Sequence, residues 1–186
     1  MSRAGAAVRV TGGAAVPGRR LAVVAVAILA IAAATIGWWW PAEPAVEPGL
    51  RLQVWDHERA VSLHTRAVSA GETFVLRHTH SVTRRPVIET FSVAGASGIA
   101  MEELWFDEFG PNLPAGPEQI GEVTTTFHAE DGAFRVEHHG RLLPTVPLRV
   151  GSASVDHVLT FSDGTRLRLL DLTRPAAFVE IRIAGG

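Results

Sequence analysis

From Leu50 onward, apolar and polar residues alternate in short runs broken by Gly, Pro and Asp, the period-two signature of half-buried strands. The pattern predicts strands over 50–55, 60–64, 73–82, 87–93, 99–106, 122–128, 133–138, 147–150, 155–161, 166–172 and 178–183. No window beyond residue 50 keeps a helical stripe for three turns. Asp131-Gly132 and Asp163-Gly164 fall between alternating runs and mark tight hairpins. Short strands at regular spacing imply an all-β chain over 50–186, an antiparallel β-sandwich or barrel-like domain. The segment from Phe109 to Pro117 holds too much Gly and Pro to continue a strand, so the chain must leave the sheet there.

Ahead of this domain the pattern changes completely. Residues 21–40 form an uncharged run dominated by Ala, Val, Ile and Leu, about the length a helix needs to cross a hydrocarbon core of roughly 30 Å. Arg19 and Arg20 precede the run, and Trp38, Trp39 and Trp40 close it as an interfacial belt. This predicts a single transmembrane helix, or signal anchor, with a cytoplasmic tail over 1–20 and an extracytoplasmic domain. A cleaved signal peptide is the rival reading, but its core is usually shorter. Residues 41–49 make a proline-spaced linker.

Composition narrows the chemistry. Cysteine is absent, which excludes disulfides and thiolate metal sites, and lysine is absent, which excludes lysine-based covalent catalysis. Four of the 17 basic residues lie in the first 20, leaving 13 arginines against all 19 acids beyond residue 40. A domain with that balance is a poor partner for nucleic acid.

The chemistry-bearing stretch is 73–95. Centring a hairpin between Arg84 and Arg85 pairs His80 with Glu89 and His78 with Phe91. Phe74, Leu76, His78, His80 and Val82 then share one face with Val87, Glu89, Phe91 and Val93. An acid and a base on an apolar surface must satisfy each other or serve a ligand. His78, His80 and Glu89 are therefore the alternative metal- or small-ligand-binding set. The His-x-His arrangement is similar to the cupin metal motif, but eight residues separate His80 from Glu89, and Gln119 stands where that motif has its later histidine. His80 and Ser81 are adjacent, so on a strand they point to opposite faces and make no nucleophile–base pair, and there is no Gly-x-Ser-x-Gly elbow. A hydrolase is the weakest option. Glu102, Glu103, Asp107 and Glu108, with Asn112 nearby, lack the spacing of a calcium loop and read as a charged strand edge.

His80-Ser81-Val82, Pro86, Glu89, Phe109-Gly110 and Leu113-Pro114 together resemble an exported bacterial family known as domain of unknown function 1850, over roughly 72–172. On matching positions the motif residues are His80, Ser81, Glu89 and Gly110. The chain departs from the pattern at Thr83 and at Gly110-Pro111-Asn112, where a stiffer loop replaces a glycine-rich one. The resemblance implies a small anchored protein encoded beside a TAXI-type TRAP transporter. The expectation is a non-enzymatic accessory module without a cofactor. It would be single-pass in the cell membrane and would meet the solute receptor or permease through the rim holding the Gly110 loop, with His80, Ser81, Glu89, Gly110 and Asn112 as the interaction candidates.

Overall fold

The computed structural model describes residues 49–185. The predicted tail 1–20, the apolar run 21–40 and all but the last residue of the linker 41–49 lie outside the described residues. Among the described residues no helix is long and apolar enough to cross a membrane.

The alternating segments form strands β1 (Arg51–Asp56), β2 (Val61–Ala67), β3 (Thr73–Thr79), β4 (Pro86–Val93), β5 (Ile99–Phe106), β6 (Gln119–Ile120), β7 (Val123–Thr124), β8 (Thr126–Glu130), β9 (Ala133–Leu143), β10 (Thr145–Arg149), β11 (Val158–Phe161), β12 (Arg166–Arg168) and β13 (Phe178–Ala184). Neighbouring strands run antiparallel throughout. A four-stranded sheet has the order β10-β13-β1-β2, and a seven-stranded sheet has the order β12-β11-β3-β4-β5-β9-β8. β6 and β7 form a separate ribbon.

Leu52 and Val54 on β1, with Val179 and Ile181 on β13, bury the inner face of the smaller sheet. Phe74, Leu76, Phe91, Phe106 and Leu159 do the same for the larger one, and both sets join a single core cluster. Phe74 stacks on Phe91 at 5.3 Å between ring centroids. Burying each such ring is worth roughly 1.5–3 kcal/mol. The architecture is a two-sheet sandwich rather than a barrel, because β8 and β12 remain unclosed edges of the larger sheet.

Both Asp-Gly signals make the turns their chemistry demands. Asp131 and Gly132 both have positive φ (51° and 77°) between the paired residues Glu130 and Ala133, giving the primed turn that matches strand twist. Gly164, at φ 81°, donates its N–H to the Phe161 carbonyl at 2.9 Å and closes a three-residue loop.

Several boundaries differ from the alternation, and four of them have a clear local reason. The predicted 73–82 strand stops at Thr79, and the chain turns over residues 80–85. The His80 N–H meets the Arg85 carbonyl at 2.8 Å, and Val82 stands 65% exposed at the tip. The 122–128 segment breaks at Thr125, which turns inward so that its Oγ1 accepts the Glu118 N–H at 2.8 Å. β9 runs past the predicted end at 138 to Leu143, through a bulge where His139 and Gly140 take positive φ. The 166–172 segment curls into a 3-10 turn over Leu169–Asp171 that buries Leu169.

Candidate functional site

The hairpin register sets the site. Leu76 faces Glu89, His78 faces Val87 and Phe74 faces Phe91, so the pairing of His80 with Glu89 does not form. The turn is centred two residues earlier than the arginine pair suggests. The partner of each strand residue therefore shifts by four, and an even shift leaves every side chain on its expected face. His78 and Glu89 still point the same way, while His80 leaves the strand.

His80 becomes the organiser of the turn. Its Nδ1 accepts the Val82 and Thr83 backbone N–H groups at 3.3 and 3.2 Å. The ring proton is thus on Nε2, which donates to the Pro111 carbonyl at 3.0 Å. Both nitrogens are committed, and the ring ties the 80–85 turn to the loop after β5. Gly110 lies directly beneath it: a Cβ there would stand 2.7 Å from His80 Cε1 and 2.9 Å from Thr83 Cγ2. Two of the motif residues are therefore one packing unit, and Asn112 follows in the left-handed region at φ 67°.

Behind this clasp a pocket of about 430 Å³ opens at the end of the sandwich. The larger sheet supplies His78, Val87, Glu89 and Leu104. The loop after β5 supplies Pro111, Asn112 and Leu113, and the smaller sheet supplies Arg149 at the end of β10. His157, just ahead of β11, completes the wall. The Thr79 N–H donates to the Val155 carbonyl at 2.7 Å, which brings the 152–157 turn against the end of β3. His157 Nδ1 accepts the Gly151 N–H at 3.0 Å, placing its proton on Nε2 as well.

Desolvation dominates the electrostatics. Burial pushes the Glu89 carboxyl up to about 7. Burial, then the neighbouring imidazoles of His157 and His80, bring His78 down to about 4. Burial also lowers His157, against the opposing pull of the Asp156 carboxylate. The His78 and His157 rings lie 4.9 Å apart, and His78 Nδ1 is buried without a partner. At neutral pH the pocket thus holds the neutral imidazoles of His78 and His157 and a carboxyl near half-protonation. The Arg149 Nη1 is held by the Ala176 carbonyl at 3.2 Å, and its guanidinium lies over the Phe178 ring.

Among the described residues no serine–base pair forms at this pocket. Ser81 lines the pocket, but its hydroxyl bonds to no base among the described residues, and neighbouring His80 has no nitrogen to spare. The set His78, His80 and Glu89 shares one pocket with His80 committed elsewhere. Among the described residues no group of three or more His, Asp or Glu side chains is placed to hold a metal ion. The acidic run disperses: Glu102 accepts from Ser92 at 2.5 Å, Glu103 pairs with Arg135, and Asp107 pairs with Arg85.

Alternation singled out His78, Glu89 and the 109–117 loop, but not His157 or Arg149. His157 carried the same signal, a histidine in phase with Val155, Leu159 and Phe161. Arg149 carried none, because an arginine closing a strand is ordinary.

The family model described as domain of unknown function (DUF1850) matches residues 74–169, a span that contains every polar side chain of the pocket. No curated protein and no solved structure matches the chain.

Proposed function

This chain belongs to the DUF1850 family, and on that premise we propose that its β domain is a non-enzymatic accessory module whose working part is the pocket beside the His80–Gly110 clasp. One observation carries the reading. Glu89, His78 and His157 converge on a pocket of about 430 Å³ with hydrogen-bonding capacity that the described residues do not use, yet none of them activates a nucleophile. Polar groups buried at such a cost, with no catalytic partner, fit the recognition of a small ligand.

The module is placed outside the cell membrane on a single-pass anchor. Its partner is a TAXI-type TRAP transporter, through either the solute receptor or the permease. Support for this half is the apolar run 21–40 and the family motif. Ligand recognition near a transporter asks nothing of Ser81 beyond lining the rim.

Two measurements test the two halves. The full chain, purified in detergent and equilibrated with a small-molecule extract of the producing cells, should retain at least one compound visible by mass spectrometry. An empty protein would sink the pocket reading. Affinity purification of the tagged chain from native membranes should retain a transporter component, and its absence would sink the partner.

A further inference from the structure

We infer that the pocket takes a small organic ammonium ion, its charged end at the Glu89 carboxylate and its carbon body against Val87, Leu104 and Leu113. The inference deepens the pocket reading and rests on it. Glu89 lines the pocket from β4, and none of the described residues hydrogen-bonds its carboxyl. The residues paired with it, Leu76 on β3 and Leu104 on β5, are both apolar, so neither neighbouring strand neutralises it. Among the described residues no positively charged side chain faces it either. His78 and His157 are neutral, and His80 commits both nitrogens to the turn and to Pro111. The Arg149 guanidinium lies over the Phe178 ring, on the outer face of the smaller sheet. An unpaired carboxyl in such a place is costly to ionise, and an arriving cation offsets that cost by attraction at low dielectric.

His157 supplies the second point of recognition. The ring is only 9% exposed, the Gly151 N–H occupies Nδ1, and no described residue accepts the proton on Nε2. A donor fixed in this way suits a hydroxyl or carbonyl oxygen on the ligand. It also argues against a metal ion, which would have to displace that proton. Amino alcohols and amino amides carry both polar ends on a short carbon chain, and the aliphatic lining suits the chain between them.

The titratable groups around Glu89 are His78 on β3, His80 in the turn and His157 before β11, while β5 presents Leu104. Burial holds His78 and His157 neutral, so between pH 6 and 8 Glu89 is the group that changes. A bound cation favours the carboxylate, so binding releases the Glu89 proton and strengthens as pH rises.

The test is calorimetric titration of the full chain in detergent with aminobutanol, butanediol and hydroxybutyrate, chains of equal carbon number that carry an ammonium, a second hydroxyl or a carboxylate. Aminobutanol should bind, about tenfold more weakly at pH 6 than at pH 8, with proton release visible as a dependence on buffer ionisation enthalpy. Butanediol and hydroxybutyrate should bind at least about tenfold more weakly than aminobutanol at pH 8. Glu89→Gln keeps the shape and removes the charge. It should weaken aminobutanol by a similar factor at pH 8 and flatten the pH dependence. Equal binding of aminobutanol and butanediol, tighter binding of hydroxybutyrate, or an unaffected Glu89→Gln would overturn the ammonium assignment. If the chain retains a neutral or anionic compound from cell extract while aminobutanol fails to bind, this inference falls and the pocket reading stands.

Discussion

The His80 imidazole lies so close to Gly110 that any side chain there would strike it, with a Cβ 2.7 Å from Cε1. The contact explains why a histidine and a glycine 30 residues apart belong to one motif. The ring closes the 80–85 turn on one side and holds the Pro111 carbonyl on the other. Gly110→Ala should destabilise by about 1–3 kcal/mol through overpacking. His80→Ala should cost about 2 kcal/mol by leaving two N–H groups and one carbonyl without their partner. With the ring gone, alanine at 110 loses its closest clash, so the double variant should cost clearly less than the two singles together. Urea unfolding of all four proteins checks this, and simple additivity would show that the contact carries no energy.

Buried Glu89 and His78 predict an unusual pH profile. Glu89 sits near 7 in the folded chain against an ordinary 4.5, so the folded state keeps a proton the unfolded state has lost. Stability then falls as pH rises through that window. His78 moves the other way, from 6.5 to about 4, so its contribution is present above 6.5 and is lost as pH falls toward 4. Where the windows overlap, the two slopes cancel. Glu89→Gln removes the falling slope. Its stability relative to the parent should grow from near zero at pH 4 to about 3 kcal/mol at pH 8. A difference that stays constant with pH would contradict the burial of that carboxyl.

Two glycines with positive φ should respond very differently to alanine. Gly71, at φ 79°, has nothing within 4 Å of a new Cβ, so its cost is conformational, about 1 kcal/mol. Gly98, at φ 112°, would place that Cβ 2.6 Å from the Leu143 carbonyl oxygen, a backbone atom that cannot swing aside. Gly98→Ala should therefore lower the melting midpoint far more than Gly71→Ala. Equal shifts would mean that the approach of Gly98 to β9 is relaxed in solution.

The ring tautomers are directly observable. His80 and His157 should both carry their proton on Nε2, with Nδ1 accepting from backbone N–H groups. Long-range nitrogen–proton spectra of the imidazoles report this at neutral pH. Gly151→Ala would push a Cβ to 2.5 Å from Val155 Cβ and should disturb the His157 signals while leaving those of His80 in place. An Nδ1–H form at either ring would contradict the assigned bonds.

Much of the fold was legible because it rests on local periodicity. The eleven alternating segments found their strands, with β5 matching at both ends, and both Asp-Gly pairs turned, each with its glycine in the left-handed region. Register was not legible. Val82 continued the apolar alternation, but nothing in the alternation says that the His80 ring will capture the Val82 and Thr83 N–H groups and end the strand early. The site was half legible for the same reason: residues on one hairpin declare a shared face, while residues from distant segments do not declare that they meet it.

The sequence by itself determined the all-β class, the hairpin and the common face of His78 and Glu89, because side-chain direction in a strand follows residue parity and survives an even shift in pairing. Only the tertiary structure decided that His80 is a clasp rather than a partner for Glu89, and that His157 and Arg149 complete the pocket. It alone also set the protonation of the group. Those outcomes depend on which distant segments approach and how much water they exclude, and a Coulomb or desolvation energy has no value until that geometry exists.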